Sequence, residues 1–401
     1  MEQPVFIAGL GVISAIGNTV AQNLLSLESG ETGIAPIQYL DTEHRDEFPV
    51  GEVKSSNDEL AELSGFKTVI SRTAMLSLIA AKEALRDAGI ENYANLRTGF
   101  ISANTVGGMD KTEDFFRDFI NDNTKGRLRN AINHECGAVT NLVADKLGIR
   151  NYVSTISTAC SSSANAIMYG TRLIKNNLLD VVIAGGTDAL TRFTLNGFNT
   201  LMILDKQPCQ PFDANRRGLN LGEGAGYVVL VSERVAYSCS IKKEIYCSLS
   251  GYCNANDAYH QTASSPEGTG SLMAMEGALK RSGFQPADIS YINLHGTGTQ
   301  NNDSSEGAAI SKLFAGHYPK MSSTKAFTGH TLGASGGIEA VYSALAVQKG
   351  MLYPNLRFET PMEGLPFTPE TRFSKQPEIK HVLSNSFGFG GNCSSLIFSK
   401  L

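Results

Sequence analysis

Where this chain puts its glycines constrains its fold more than any other feature. Forty of 401 residues are glycine, about one in ten against the ~7% of an average chain. They gather as Gly9-Leu-Gly11, Gly107-Gly108, Gly185-Gly186, Gly222-Glu-Gly224-Ala-Gly226, Gly296-Thr-Gly298, Gly333-Ala-Ser-Gly336-Gly337 and Gly388-Phe-Gly390-Gly391. Each cluster abuts an apolar run rather than a linker. That pattern predicts tight strand-to-loop turns around a crowded centre, where backbone must approach backbone or ligand. Gly9-Leu-Gly11 after a strand hints at a dinucleotide-binding turn, but Ser14 holds the third glycine position and removes most of the signal.

Between the glycine turns, two periodicities alternate. Apolar runs at 5–10, 152–157, 181–184, 227–231, 289–294, 382–385 and 395–398 predict strands. Helical spacing joins Ala74, Leu78, Ala81 and Leu85; Ala164, Ile167, Met168 and Ile174; Leu272, Met275 and Leu279; and Ile338, Val341, Tyr342 and Leu345. Strands alternating with helices predict an α/β architecture. Two echoes suggest that the chain is doubled. GEGAGYVVLVS resembles the C-terminal GFGGNCSSLIFS, and the helix start SSSANAI after Cys160 resembles TLGASGGIEAV after His330, in the same order. The expected halves are 1–240 and 241–401, meeting near residue 240 in one compact body without a Pro- or Ser-rich linker.

Charge narrows the partners. The net charge is −5 with no Lys/Arg stripe, so no footprint for nucleic acid appears. No apolar run reaches the ~18 residues of a membrane span, and the N-terminus lacks a basic secretory region. A cytoplasmic protein is expected. Seven cysteines (136, 160, 209, 239, 247, 253 and 393) form no CxxC pair, which suits reduced thiols.

One of them has a different setting. In TISTAC160SSSANAI a strand ends, small residues surround Cys160, and a helix begins at once. A thiol at a helix N-terminus is expected to favour the thiolate, and the same backbone N–H groups could hold an oxyanion. A buried packing cysteine is the commoner alternative. His295 in INLHGTGTQNND and His330 in STKAFTGHTLGASGG are each read as lying at a strand end among small residues, unlike the other five histidines. A cysteine with two such histidines forms a chemically meaningful set. The three lie far apart in the chain without neighbouring ligands, which argues against a catalytic metal.

TACSSS, LHGTGTxxND, STKxxTGHxxGASG and NSFGFGGxN, in that order, resemble the elongating β-ketoacyl-acyl carrier protein synthases of the thiolase superfamily from end to end. The resemblance implies the thiolase fold, duplicated halves in a five-layered αβαβα sandwich, usually dimeric. It implies condensation of an acyl group on Cys160 with malonyl-acyl carrier protein, extending the chain by two carbons without a cofactor. His295 and His330 then stabilise the malonyl thioester oxygen, with Lys325 ordering them and Glu306 paired to Lys325. Phe389 is the gate, its backbone N–H joining that of Cys160 in the oxyanion hole. Val106, Phe198, Thr262, Gly388 and Gly390 belong to the acyl pocket and its loops. Asn293, Glu339, Asn385 and Ser386 fall where some relatives hold a structural monovalent cation. Expected partners are acyl carrier protein and either a second copy or a related subunit, with fatty-acid, polyketide or aryl-polyene synthesis as the pathway. A cysteine hydrolase or a carrier-binding scaffold are the rivals. The first leaves one histidine and Lys325 unexplained, and the intact set of Cys160, His295 and His330 speaks against the second. The sequence departs from the family at Gln300 and Asn301, which replace a proline and a small or apolar residue. It departs again at Arg217, Leu219 and Asn220, where housekeeping members mostly carry an acid, an aromatic and a valine.

Overall fold

The computed structural model describes residues 3–90, 93–237 and 244–401. Among the described residues twelve strands form, ten of them in one continuous sheet: β1 (Val5–Ser14), β2 (Thr98–Ala103), β3 (Tyr152–Ile156), β4 (Val181–Asp188), β5 (Gly224–Ser232), β6 (Cys247–Asn256), β7 (Tyr291–Asn293), β8 (Lys320–Ser322), β11 (His381–Phe387) and β12 (Asn392–Ser399). The short β9 (Met351–Leu352) and β10 (Ser374–Lys375) make a separate ribbon. The sheet order is β3-β2-β4-β5-β1-β6-β12-β11-β7-β8. Read inward from either edge, the strands follow the same pattern. Parallel pairs β2·β3 and β2·β4 match β7·β8 and β7·β11, and antiparallel β4·β5 and β5·β1 match β11·β12 and β12·β6. The two five-strand sets meet where Phe6 and Ile7 of β1 pair with Ser248 and Cys247 of β6. The expected midpoint near residue 240, with Cys239, lies outside the described residues.

Side-chain alternation builds the layers. Val182, Ala184, Val228 and Leu230 point to a central core that they share with the helices Ser162–Lys175 and Ser335–Lys349 and with Leu249, Val382, Leu396 and Phe398 of the second set. Their neighbours Val181, Ile183, Tyr227 and Val229 face the opposite way, onto the helices Arg72–Ala88 and Cys136–Leu147. Ile292, Leu383 and Ile397 similarly face the helices Thr269–Ser282 and Gln300–Leu313. The result is helix, sheet, paired helices, sheet, helix: the five layers expected of the thiolase fold. A strand covered on both faces needs no polar side, and β1 is buried along its whole length.

The structure differs from the sequence reading in particular elements. β2 and β6 were not predicted, because TGFISA and CSLSGYCNAN are too rich in Ser, Gly and Asn to stand out as apolar runs. β5 starts three residues before the predicted run, taking its glycines into the strand. His330 does not follow a strand directly. The short helix Lys325–Thr328 and Gly329 (φ 69°) intervene, and His330 is held by its backbone against the Asn220–Gly222 segment.

Gly9 and Gly11 also find their explanation here. A Cβ on Gly11 would lie 2.0 Å from the Ala80 carbonyl oxygen, and one on Gly9 would lie 2.2 Å from that of Ala84. These glycines let the helix Arg72–Ala88 rest directly on β1 and carry no dinucleotide signal. We expect Gly11→Ala to cost about 2–3 kcal/mol through overpacking, read as a lowered urea midpoint. An unchanged midpoint would show that the helix can lift without loss.

Candidate active site

The turn after β3 is shaped by small hydroxyl side chains. Ala159 takes φ 54°, a left-handed conformation that reverses the chain before the helix starts at Ser162. Ser162 Oγ accepts from Thr158 N at 2.7 Å and donates to the Ala159 carbonyl at 2.6 Å, while Ser161 Oγ donates to the Thr158 carbonyl at 2.7 Å. Ser163 Oγ accepts from Gly337 N at 2.8 Å and so ties this turn to the other central helix. The three serines after Cys160 therefore each have a fixed hydrogen-bonding task.

Cys160 is only 5% exposed, and its Sγ lies 3.0 Å from His330 Nε2. Burial pushes the thiol up to about 11, against the downward pull of the Lys325 ammonium and of the nearby backbone N–H groups of Phe389 and Cys160. The expected helix-stabilised thiolate is thus corrected. Loss of hydration outweighs the helix terminus, and the resting group is a thiol in contact with an imidazole. Burial and the nearby Lys325 ammonium also hold His295 and His330 well below the usual imidazole range, so both rings are neutral.

Lys325 is the centre of a buried polar network. Its Nζ donates to His295 Nδ1 at 3.2 Å and forms a very short contact with Glu339 Oε1. An ammonium can only donate, so His295 carries its proton on Nε2. The rings of His295 and His330 stand edge to face, 5.4 Å apart, and the reactive atoms of both and of Cys160 lie within 4.8 Å of one another. The resemblance gave Glu306 to Lys325. Instead Glu339 pairs with the lysine, and Glu306 accepts from the backbone N–H groups of His295 and Gly296, both at 2.9 Å, and from Asn385 Nδ2 at 3.0 Å. Glu306 is a backbone clamp for the turn after β7, because that turn presents two N–H groups the sheet cannot satisfy. Burial raises Glu306 to about 7, opposed by those same hydrogen bonds.

The suggested cation group is partly consistent with this arrangement. Both side-chain polar atoms of buried Asn293 and the second carboxylate oxygen of Glu339 lack a partner among the described residues. Two orphaned oxygens fit a monovalent cation of the implied kind. Asn385 is already engaged, since its Oδ1 accepts from Ser395 Oγ at 2.8 Å, and Ser386 Oγ lies close against Gly336.

A cavity of 230 Å³ opens above the cysteine, lined by Cys160, His295, His330, Phe387, Gly388 and Phe389, and by Phe198 and Thr262. The Phe389 and Phe198 rings stack 5.8 Å apart with 20° between planes. A Cβ on Gly388 would stand 3.1 Å from Cys160 N, so glycine allows the Phe389 turn to close over the thiol. Gly390 and Gly391 both take left-handed φ, 77° and 76°. Val106 is not in the lining. It packs in the apolar cluster with Leu195 and Leu332 against which Phe198 rests, and Phe198 takes the lining place expected of it. Met202, Ile203 and Asn302 also line the cavity without a signal in the sequence, while Arg217, Leu219, Gln300 and Asn301 stand out there only as departures from the family. Met202, 88% exposed with φ 56°, carried no periodic signal.

A cysteine from one five-strand set, facing two histidines from the other across a glycine-lined cavity, defines a thiolase-fold acyltransferase. The chain belongs to the β-ketoacyl synthase family. The family model "Beta-ketoacyl synthase, N-terminal domain" matches residues 2–236, and "Beta-ketoacyl synthase, C-terminal domain" matches 246–359. The chain is 33% identical to 3-oxoacyl-[acyl-carrier-protein] synthase 2 of Staphylococcus aureus (strain COL) over 99% of this chain and 98% of that one. It is 34% identical to the protein of the same name from Coxiella burnetii, over 100% and 99%. Among solved structures, the ishigamide ketosynthase/chain length factor superposes with TM-score 0.94 at 28% identity, covering both chains fully. A ketosynthase (ApeO) in complex with its chain length factor (ApeC) from Xenorhabdus doucetiae gives 0.85 at 31%, covering 100% and 98%.

The raised thiol predicts its own titration. We expect iodoacetamide alkylation of Cys160, followed by mass spectrometry, to climb about tenfold per pH unit from pH 7 to 9. A plateau already reached near pH 7 would show a resting thiolate instead.

Proposed function

We propose that this chain carries out decarboxylative condensation of an acyl group on Cys160 with a malonyl unit on acyl carrier protein. The contact that carries the reading is Cys160 Sγ against His330 Nε2 at 3.0 Å, beneath the turn that carries Phe389. His330 Nδ1 lies 3.0 Å from Ser335 Oγ, a hydroxyl that donates or accepts, so the ring can hold its proton on either nitrogen. With Nε2 free, His330 takes the thiol proton as sulfur attacks the acyl thioester. The carrier thiolate then leaves and recovers that proton. The backbone N–H groups of Cys160 and Phe389 hold the tetrahedral oxyanion.

In the second half-reaction, His295 Nε2–H and His330 Nε2–H donate to the malonyl thioester oxygen. The C–C bond to the carboxylate breaks, CO2 leaves, and the electron pair becomes the enolate. Its carbon attacks the acyl carbonyl, the new oxyanion collapses, and the Cys160 thiolate is released and takes one proton from solvent, the proton that the overall condensation consumes. Lys325 and Glu306 are positioning residues: one fixes the His295 tautomer, the other fixes its backbone. Phe389, stacked on Phe198, is the gate that admits malonyl only after acylation. Thr262, Gly388 and Gly390 belong to the loops around it.

A Cys–His–His cluster could also ligate zinc, but Lys325 occupies His295 Nδ1 as a donor. The other nitrogen is then protonated and offers no lone pair to a metal. A cysteine hydrolase would not need that second histidine. Residues 1–240 would supply the nucleophile and 241–401 both histidines, a division supported by the mirrored strand order and the two family models. Among the described residues no helix is long and apolar enough to cross a membrane, and six described cysteines are free, which supports the cytoplasm. A second reading is the catalytic subunit of a ketosynthase–chain length factor pair. It is favoured by the close superposition on proteins so named.

We expect Cys160→Ala to abolish acyl loading and condensation in a folded protein. His295→Ala should lower CO2 release from malonyl thioester about 100-fold or more while still allowing Cys160 to be acylated. His330→Ala should slow both steps. Acylation is read by mass spectrometry and decarboxylation by released CO2. Product formed by Cys160→Ala, or activity lost on chelation with stoichiometric zinc released, would overturn the assignment.

A further inference from the structure

Asn301, one of the two family departures after LHGTGT, has a task that the reaction does not account for. It is exposed in the first turn of the helix Gln300–Leu313. Its Oδ1 accepts from the backbone N–H of Ser264 at 2.8 Å, and its Nδ2 donates to the carbonyl of the same residue at 3.0 Å. The side-chain amide thus pairs with Ser264 at two points, as one strand residue pairs with another. Among protein side chains only an amide combines donor and acceptor in this geometry. A proline or an apolar residue at this position could make neither bond.

Ser264 ends a segment, 257–264, that has no regular structure and is exposed from Ala258 to Thr262. The segment's other attachments are to the gate turn. Gly390 N donates to the Gln261 carbonyl at 2.7 Å, Asp257 N donates to the Gly391 carbonyl at 2.8 Å, and Asn256 Nδ2 donates to the Gly390 carbonyl at 3.0 Å. Ser265 N, just beyond, is held by Asp257 Oδ2 at 2.7 Å. The loop therefore bridges two fixed points: at one end the glycine turn that carries Phe389, at the other Asn301. Gly390 and Gly391 give the gate turn backbone freedom, so what restrains it must come from its contacts.

We propose that Asn301 is a positioning residue that latches the 257–264 loop and, through Gln261 and Gly390, biases the Phe389 gate toward its closed setting against Phe198. The proposal rests on the gate role assigned to Phe389 above. Releasing the latch leaves Cys160 and both histidines untouched but lets the gate open before the thiol is acylated. The unacylated enzyme then decarboxylates malonyl thioester without condensing it.

The test compares wild type, Asn301→Ala, Asn301→Asp and Phe389→Ala. It measures CO2 release from malonyl-pantetheine without an acyl donor, relative to condensation with one. Losing two partly solvated hydrogen bonds is expected to raise that ratio about fivefold. Asn301→Asp, of nearly the same shape but unable to donate to Ser264, should move the same way as Asn301→Ala. Hydrogen exchange at the Ser264 amide should accelerate in Asn301→Ala. If Phe389→Ala raises the ratio while both Asn301 variants stay at the wild-type value, the latch is overturned and the gate stands. If no variant raises it, the gate reading fails and the latch fails with it. Unchanged Ser264 exchange in Asn301→Ala would also overturn the latch. A residue that merely supports the fold would shift thermal unfolding without moving the ratio.

Discussion

Two helix starts, one after Cys160 and one after His330, approach so closely that side chains would keep them apart. A Cβ on Gly336 would meet Ala164 N at 3.0 Å, one on Gly337 would meet the Gly226 carbonyl at 2.4 Å, and one on Gly226 would meet Ile338 N at 2.3 Å. Gly186 lies at the same place: a Cβ there would come within 2.9 Å of the Gly333 carbonyl. A single methyl group at any of these places would push the two halves apart by a fraction of an ångström or more. The sulfur-to-imidazole distance and the bond from Gly337 N to Ser163 Oγ would go with it. The glycine wealth of the sequence is thus the cost of bringing reagents from the two five-strand sets into hydrogen-bonding range. That cost is conformational entropy in the unfolded chain, and it is offset by the large central core these helices share with both sheets.

The second dependency is electrical. Lys325 and Glu339 are both almost wholly buried, and either alone would be a severe liability in that surrounding. Together they place a positive charge beside His295 without leaving it uncompensated. The ammonium sets the tautomer of one ring and discourages protonation of both, while the same burial keeps the thiol protonated. A network of neutral donors around a neutral nucleophile results, suited to stabilising charge that appears only during reaction.

How much of this is legible in the sequence depends on how local each cause is. The Cys160 turn is readable because strand, small residues and helix are contiguous, and the five layers are readable once the motifs invoke the family. The partner of Lys325 is not, because the choice between Glu306 and Glu339 depends on where two helices lie in space. Glu306 stands next to the His295 turn in sequence and is captured by its N–H groups first. The ionisation of Cys160 fails for a related reason: a helix terminus shows in the sequence, but burial by residues more than a hundred positions away does not. β2 stays hidden because a strand buried along its whole length can be built from Thr, Gly and Ser, and β6 because its half-buried and exposed positions carry Ser and Asn. Asn301 was visible only as an oddity, since its bonding partner is the backbone of Ser264, and backbone carries no residue-specific signal.

The mirrored strand order has a consequence for biosynthesis. Chains emerge from the ribosome N-terminus first, and compact units fold as they appear. The thiol-bearing half of this protein is complete well before His295, Lys325, His330 or Phe389 has been made. Until then the sulfur lacks the His330 imidazole that lies 3.0 Å from it in the finished fold. Dividing the reagents between the halves makes chemical competence a late event, reached only when the last strand, with Asn392 at its start, has taken its place beside β6.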